Sequence, residues 1–301
     1  MRNIGLISIL MAAYNAEKTI EISIKSVIAQ TYKDWELIII DDASTDSTLS
    51  IATRYASEDG RIHVFSAETN SGVSQTRKRA LHEAHGEWIA ILDSDDKWDE
   101  RKLEKQIALQ EKTDSPLLYT GSAFMDEYGN PLSWILHVPK SLTYRDLLKQ
   151  NLLSNSSALV RRTLYENNYT FGDQMHEDYA TWLKILKTGV IACGIDEPLL
   201  VYRLSSSSKT GNKWKSAQMN WNTYRHVGLH LIPAVYYMTW YTVKGLLKYR
   251  NLDSEVILPA KQNRGGYCGK VVYLPIAAVE CCYSTNSNYV AASFVESEVA
   301  A

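Results

Sequence analysis

The order of apolar and polar positions in the first 120 residues predicts strands that alternate with helices. Continuous apolar runs are typical of strands buried on both faces, whereas apolar residues three or four apart indicate a helix. Apolar runs predict strands at 6–11, 35–40, 62–65, 87–92 and 117–120, and helical spacing predicts helices at 20–28, 47–57, 73–84 and 98–111. Such alternation with short connections predicts an α/β fold with a mainly parallel sheet.

The amino terminus has two interpretations. Arg2 followed by the apolar stretch 4–13 resembles a short signal peptide. The alternative is a buried first strand that ends in a turn at Tyr14 and Asn15, with Asn15 capping the next helix. We favour the strand, because the segments that follow repeat the same order of strand and helix.

The second part of the chain has a less regular pattern. Residues 127–131 indicate a hairpin turn, because they combine glycine, asparagine and proline. Apolar spacing predicts helices at 144–149 and 177–186 and a strand at 199–203, followed by a serine loop at 205–208. From 214 to 249 the pattern is helical again.

That last segment is rich in aromatic residues, of which the whole chain holds 19 Tyr and 8 Trp against 4 Phe. Its apolar stretch 229–247 is borderline in length for a membrane span, and His230, Pro233 and Lys244 interrupt it. Tyrosines and tryptophans beside basic residues suit a helix lying in a lipid headgroup layer. A helix packed against its own domain is the alternative, and both interpretations stay open.

Composition narrows the class of protein. The 301 residues are 45% hydrophobic and 22% charged, which excludes disorder, collagen-like repeats and a multi-span membrane protein. A formal net charge of −2 gives no basic field for nucleic acid. The four cysteines form no C-x-x-C pair, so the sequence suggests neither a zinc site nor a disulfide framework, as expected in a reducing compartment.

Two acidic clusters follow predicted strands, Asp41-Asp42 and Asp93-Ser94-Asp95-Asp96. In open α/β sheets ligands bind beyond the carboxyl ends of the strands, which is where both clusters lie. Asp93 and Asp95 are spaced so that both carboxylates can face one ligand, and hard oxygen donors suit Mg²⁺ or Mn²⁺ open to phosphate oxygens. A nucleoside diphosphate with a bridging metal would explain both clusters. The alternative is that these aspartates only cap the next helices.

Other enzyme classes fit less well. A phosphoryl-transfer enzyme with an aspartate-rich magnesium site would place its reactive aspartate at the end of the first strand, where this chain has Tyr14 and Asn15. A dinucleotide oxidoreductase would carry G-x-G-x-x-G there, and the sequence does not.

The motifs together resemble the family 2 glycosyltransferases of the GT-A fold. The resemblance covers roughly residues 5–250, and the chain is similar to bacterial enzymes of teichuronic acid, O-antigen and capsule synthesis. It rests on these strings in order: Ala13-Tyr14-Asn15, Asp41-Asp42-Ala43-Ser44, Asn70-Ser71-Gly72-Val73-Ser74 with Arg77, Gly86-Glu87, Leu92-Asp93-Ser94-Asp95-Asp96, Glu177-Asp178, and Tyr202-Arg203 through Lys213, Gln218, Trp221 and Tyr224-Arg225.

The resemblance implies a role for each matching residue. On the donor side, Ala13 and Asn15 would line the nucleotide pocket, and Asp42 with Asp41 would bind the nucleobase. Arg77 would hold the nucleotide end, and Asp93 would contact ribose. Arg203 would supply positive charge to the diphosphate, and Asp95 would bind Mn²⁺ or Mg²⁺. On the acceptor side, Asp178 would be the general base, next to Glu177.

The implied reaction is transfer of a sugar, with inversion, from a nucleotide-sugar donor to a glycan hydroxyl. The family expectation is a UDP-sugar, a lipid-linked acceptor, and a peripheral site at the inner face of the cell membrane. The resemblance also divides the chain into domains. Residues 1–210 would form a GT-A catalytic domain, in which 1–115 bind the nucleotide-sugar and 116–210 bind the acceptor. A helical extension, a candidate for membrane contact, follows at 211–252, and the tail at 253–301 is unassigned.

Two departures from the family pattern lie outside the acidic clusters, so an active enzyme is still expected. A histidine often follows the Tyr-Arg strand, whereas here Leu204 and four serines follow it, so that Arg203, Lys209 or Lys213 would have to supply the charge. Lys78 stands where the family commonly has Asn. The missing histidine and the unmatched tail after about Asp253 leave an alternative open, which is a catalytically degenerate protein that binds sugar nucleotides or assembles a polysaccharide complex.

Overall fold

The computed structural model describes residues 5–204 and 213–252. The predictions at 205–208, at Lys209 and at 253–301 lie outside these residues. The strands are β1 (Ile7–Ala13), β2 (Trp35–Asp41), β3 (Ile62–Ser66), β4 (Trp88–Ile91), β5 (Lys97–Trp98), β6 (Leu117–Met125), β7 (Pro131–Leu136), β8 (Ser141–Leu142), β9 (Leu159–Arg161) and β10 (Ala192–Arg203). The helices are α1 (Ile20–Ile28), α2 (Thr48–Glu58), α3 (Val73–His82), α4 (Lys102–Thr113), α5 (Tyr144–Lys149), α6 (Arg162–Asn168), α7 (Glu177–Lys187), α8 (Lys213–His226) and α9 (Leu231–Leu252).

One mixed sheet organises these elements in the order β3-β2-β1-β4-β9-β6-β10-β5. The first four strands are parallel, as are β6 and β10, which confirms the predicted α/β class and the mainly parallel sheet. The antiparallel strand β9 joins the two parallel groups by pairing with both β4 and β6. The sequence did not indicate β9, because three residues are too few to show a period.

The sheet is buried on both faces, as continuous apolar strands require. In β2, Ile38 and Ile40 face the core beneath α3, while Leu37 and Ile39 face the core beneath α1 and α2. Alternate residues of a strand point to opposite faces, so the two cores follow directly from one apolar run.

Two local predictions were wrong. Asn15 does not cap α1, since the helix begins after Thr19 and Asn15 adopts a left-handed backbone with φ of 48°. The helix predicted at 98–111 begins only at Lys102, because Lys97 and Trp98 form β5 and pair with β10. In both places tertiary contacts override the local signal.

The helices α8 and α9 complete the core over the second half of the sheet. The Tyr179 hydroxyl of α7 donates to the Leu147 carbonyl at 2.9 Å, and the Tyr224 hydroxyl of α8 donates to the Leu148 carbonyl at 2.9 Å. Tyr224 and Ala234 are fully buried in the same cluster as Tyr179. Among the described helices none is long and apolar enough to cross a membrane.

We predict that replacing Tyr224 destabilises the whole catalytic domain. Tyr224→Ala removes a buried ring and should lower the free energy of unfolding by roughly 3–5 kcal/mol, whereas Tyr224→Phe should cost only about 1 kcal/mol for the lost hydrogen bond. Urea denaturation measures both variants. Unfolding of Tyr224→Ala at the wild-type urea midpoint would show that α8 is an independent appendage.

Candidate active site

The carboxyl ends of β1, β2 and β4 meet at one edge of the sheet and bring the two acidic clusters together. Ala13, which is buried, lies beside Asp41 in the parallel register, and the Leu92 N–H just after β4 donates to the Leu10 carbonyl of β1. Asp41-Asp42 and Asp93–Asp96 therefore flank the end of β1, as predicted from their places after strands.

Asn15 joins the loops that follow β1 and β2. Its Oδ1 accepts from the Thr45 N–H at 2.9 Å, and its own N–H donates to the Ser44 hydroxyl at 3.0 Å. The left-handed backbone that lets it do so is one that asparagine tolerates better than most residues. Asn15 thus links these two loops, although it is not a helix cap, and its place in the nucleotide pocket stays a prediction.

Asp41 and Asp42 have different environments. The Asp42 carboxylate is buried and accepts from the Ser71 N–H, the Ser71 hydroxyl and the Gly72 N–H at 2.8 to 3.0 Å, so it holds the loop that begins α3. Asp41 accepts from the Ser44 N–H through Oδ2, and its buried Oδ1 has no hydrogen-bond partner among the described residues. The sequence favoured Asp42 as the nucleobase ligand, whereas the geometry leaves an acceptor available on Asp41.

The loop 93–96 is fixed by residues distant in sequence. The Asp93 N–H donates to the Ser156 hydroxyl at 3.1 Å, and Asp96 accepts from the Arg203 N–H at 2.9 Å. The Arg203 guanidinium, which is buried, donates to the carbonyls of Asp95, Asp126 and Glu127. Its contacts are those of a residue that positions the loop, and its predicted contact with a diphosphate stays a prediction.

Ser156 is a site residue that the sequence did not reveal. It lies in a short 3-10 turn, Asn155–Ser157, and its carbonyl accepts from the Trp98 indole N–H at 2.7 Å. A serine in the polar run 154–157 carries no periodic signal, so only the fold places it beside Asp93.

Arg77 of α3 connects the two halves of the site. Its side chain is 4% exposed, Nη2 lies 2.9 Å from Asp93 Oδ1, and Nη1 lies 3.2 Å from Glu177 Oε1. Burial disfavours the charged guanidinium, but the carboxylates of Asp93 and Glu177 outweigh it and raise the pKa of Arg77. The resemblance assigned Arg77 and Asp93 to the donor side and Glu177 to the acceptor side, and the structure shows that the three form one ion-pair network.

Asp178 lies next to this network at the start of α7. Burial raises the pKa of its carboxyl, while the N–H of Tyr179, 2.7 Å from Oδ1, and the charge of Arg77 oppose that shift. A carboxylate with a raised pKa is a stronger base than an exposed aspartate. Glu177 instead directs its carboxylate to Arg77, which is the contact of a positioning residue.

The acidic loop also suits a divalent cation that arrives with a phosphate ligand. Burial and the adjacent charge of Asp93 raise the pKa of Asp95 to about 6, so a cation there would relieve an unfavourable negative charge. Within residues 5–204 and 213–252 no cluster of three or more His, Cys, Asp or Glu could hold a metal by itself. Magnesium commonly needs only one or two carboxylates when a substrate phosphate completes its shell, which fits Asp95.

Comparison with known proteins agrees with this geometry. A family model described as Glycosyl transferase family 2 matches residues 8–167. A Bacillus subtilis protein named as a teichuronic acid biosynthesis glycosyltransferase is 38% identical over 244 residues, which is 81% of this chain and 97% of the relative. An Escherichia coli enzyme named UDP-Glc:alpha-D-GlcNAc-diphosphoundecaprenol beta-1,3-glucosyltransferase is 36% identical over 247 residues, with 81% and 95% covered.

Solved structures share the fold at low sequence identity. Staphylococcus aureus TarS 1-349 in complex with UDP-GlcNAc superimposes with a TM-score of 0.63 at 20% identity, covering 84% of this chain and 76% of that chain. A Pyrobaculum calidifontis mannosyltransferase in complex with GDP-Man and Mn²⁺ gives 0.59 at 18% identity, covering 83% and 76%. The predicted GT-A fold is thereby confirmed.

We predict that Arg77→Met destabilises the protein by roughly 3–5 kcal/mol, because the carboxylates of Asp93 and Glu177 lose their buried counter-charge. Arg77→Lys should restore only part of the loss, since one ammonium cannot reproduce a fork to two carboxylates. Arg79→Met, an exposed change on the same helix, serves as the control. Chemical denaturation measures all three, and equal stability of Arg77→Met and Arg79→Met would contradict the role given to this ion pair.

Proposed function

This chain belongs to glycosyl transferase family 2, and we propose that it transfers a sugar from a UDP-sugar, with inversion and a divalent metal, to a hydroxyl of a lipid-linked glycan in cell-surface polysaccharide synthesis. The observation that carries the proposal is Asp178, a carboxylate with a raised pKa beside the paired Arg77, Glu177 and Asp93. The intact acidic loop and ion pairs also favour an active enzyme over a degenerate binding protein.

Asp178 would act as the general base. An acceptor hydroxyl has a pKa far above 7, so a positioned carboxylate must take its proton as the new glycosidic bond forms. The sugar leaves the diphosphate in the same displacement, which inverts the anomeric centre and needs no covalent sugar intermediate. A base in this position typically contributes about 10²–10⁴ in rate.

The donor would lie across the carboxyl ends of β1, β2 and β4. The free oxygen of Asp41 and the loop held by Asp42 support binding of the nucleobase next to Ala13 and Asn15. Asp93 would contact ribose, and Asp95 would hold Mn²⁺ or Mg²⁺. When bound, the metal would neutralise charge on the leaving diphosphate.

The relatives, rather than the site itself, support the proposed acceptor and location. The name of the Escherichia coli relative specifies a UDP-Glc donor and a diphosphoundecaprenol acceptor, which is a membrane lipid. We infer a lipid-linked acceptor for this chain as well, and a peripheral position at the inner face of the cell membrane.

We predict that Asp178→Asn lowers kcat at least about 10²-fold, because the amide cannot take the acceptor proton. The donor dissociation constant should change little, since the base faces the acceptor. Glu166→Gln, on the partly exposed α6 pair with Arg162, is the matched control. Transfer kinetics and donor calorimetry test both variants, and near-normal kcat in Asp178→Asn would remove this residue from the base role.

The same base predicts a pH dependence. It works only when deprotonated, so kcat should fall as the pH drops through the pKa of Asp178. Because burial raises that pKa, the fall should lie above the ordinary aspartate value of about 3.9. A pH profile of kcat measures it, and a wild-type profile that stays flat down to that value would contradict the raised pKa.

We predict that Asp95→Ala abolishes metal-dependent donor binding. With its carboxylate removed, Mn²⁺ should no longer tighten the binding of UDP, because the metal loses its protein ligand. Glu111→Ala removes an exposed carboxylate from α4 and should bind as wild type does. Calorimetric titration of UDP with and without Mn²⁺ distinguishes the two, and an unchanged Mn²⁺ effect in Asp95→Ala would refute the metal assignment.

A further inference from the structure

One face of α9 exposes an apolar stripe, defined here as Ile232, Tyr236, Trp240 and Val243. Twelve large apolar or aromatic side chains are exposed in the described part of the chain, and six of them lie between residues 231 and 243. The stripe residues follow one another at intervals of four, four and three, so they lie along one side of the helix for about 16 Å. Ile232, at 83% exposure, is the most prominent.

The opposite face of α9 packs against the core of the protein and so turns the stripe outward. Ala234 is fully buried, and Tyr237 and Met238 pack against the core cluster, with the Tyr237 ring 6.5 Å from that of Tyr224. Tyr237 is therefore directed inward, whereas the neighbouring Tyr236 is 56% exposed, and the two rings lie 5.2 Å apart. The catalytic domain thus does not need the stripe for its own core.

Charge in this region has one sign. Residues 213–252 hold six lysines and arginines and no aspartate or glutamate, a formal charge of +6. Since the whole chain carries −2, the other residues carry −8. The helices that present the stripe are therefore the basic part of an otherwise acidic protein.

We propose that the stripe of α9 docks on an anionic lipid bilayer, with its apolar side chains inserted at the level of the headgroups. Tyrosine and tryptophan suit that level because they combine an apolar ring with a polar atom. A basic helix with an exposed apolar face lies in the plane of such a surface and is attracted by anionic lipids. The proposed contact lies at the bilayer surface, and no described helix is long and apolar enough to cross the bilayer.

The positive charge of residues 213–252 also argues against a second copy of this chain as the partner that covers the stripe. A two-fold interface places the same patch of each copy against its equivalent. The +6 segments of two copies would then face each other, which electrostatic repulsion disfavours, whereas anionic phospholipid headgroups neutralise them.

The docking surface builds on the lipid-linked acceptor proposed above, because it would hold the active site at the membrane where that acceptor lies. Its test does not require transfer activity. If the full-length chain bound vesicles but transferred no sugar, the docking proposal would stand and the proposed function would fail.

Vesicle flotation of the full-length protein tests the surface. Vesicles of phosphatidylglycerol with phosphatidylcholine should carry the wild type upward, and vesicles of phosphatidylcholine alone or added salt should weaken binding. Ile232→Ser combined with Trp240→Ser should bind about tenfold or more weakly. The control combines Tyr128→Ser with Ile191→Ser, two exposed apolar residues outside α9, and should bind as wild type does.

Two outcomes would overturn the proposal. They are wild-type protein that does not float, and a stripe variant that floats as well as wild type. If that variant also converted a wild-type dimer into a monomer, the stripe would be an interface between copies of this chain. Thermal unfolding of the stripe variant is the folding control. If the variant unfolds at the same temperature as wild type, a loss of flotation reports on the apolar stripe alone.

Discussion

The ion pairs of the buried Arg77 guanidinium are the constraint on which the rest of the site depends. A charge at this depth is tolerated only when it is paired, and its two partners come from segments far apart in the chain. Asp93 lies on the loop of Asp95, and Glu177 lies on the helix of Asp178, so the network sets how the proposed metal-binding loop faces the proposed base. Asp42 helps to position Arg77, because its carboxylate holds the loop from which α3 begins.

The helices after β10 also support this arrangement. The segment before α7 has little regular structure, and α8 anchors it, since the Thr223 hydroxyl accepts from the His176 N–H and the Asn222 amide donates to the Gln174 carbonyl. Helix α9 packs on α8 with its apolar stripe turned outward. The same pair of helices thus touches the loop that leads to the proposed base and carries the proposed lipid-binding face.

Periodic features were predictable from the sequence, and long-range pairings were not. The buried run of β2 and the acidic turns after β2 and β4 have local signals, so both the mainly parallel sheet and the sheet edge where the acidic clusters meet were predicted correctly. The pairing of Arg77 with Glu177 spans 100 residues, and nothing in either segment reveals the other. Arg203 shows the same limit, because its sequence position suggested a ligand contact while its carbonyl partners become visible only in the fold.

The central claim is that this site transfers a sugar from a UDP-sugar to a lipid-linked glycan. The most direct measurement incubates the full-length chain with Mn²⁺, UDP-glucose and a GlcNAc-diphospholipid, and follows UDP release together with the linkage of the product by NMR. The account predicts one UDP released for each sugar added, with the donor's α-linkage converted to a β-linkage. Tight UDP-sugar binding without product across a panel of donors, or a product that retains the α-configuration, would contradict it.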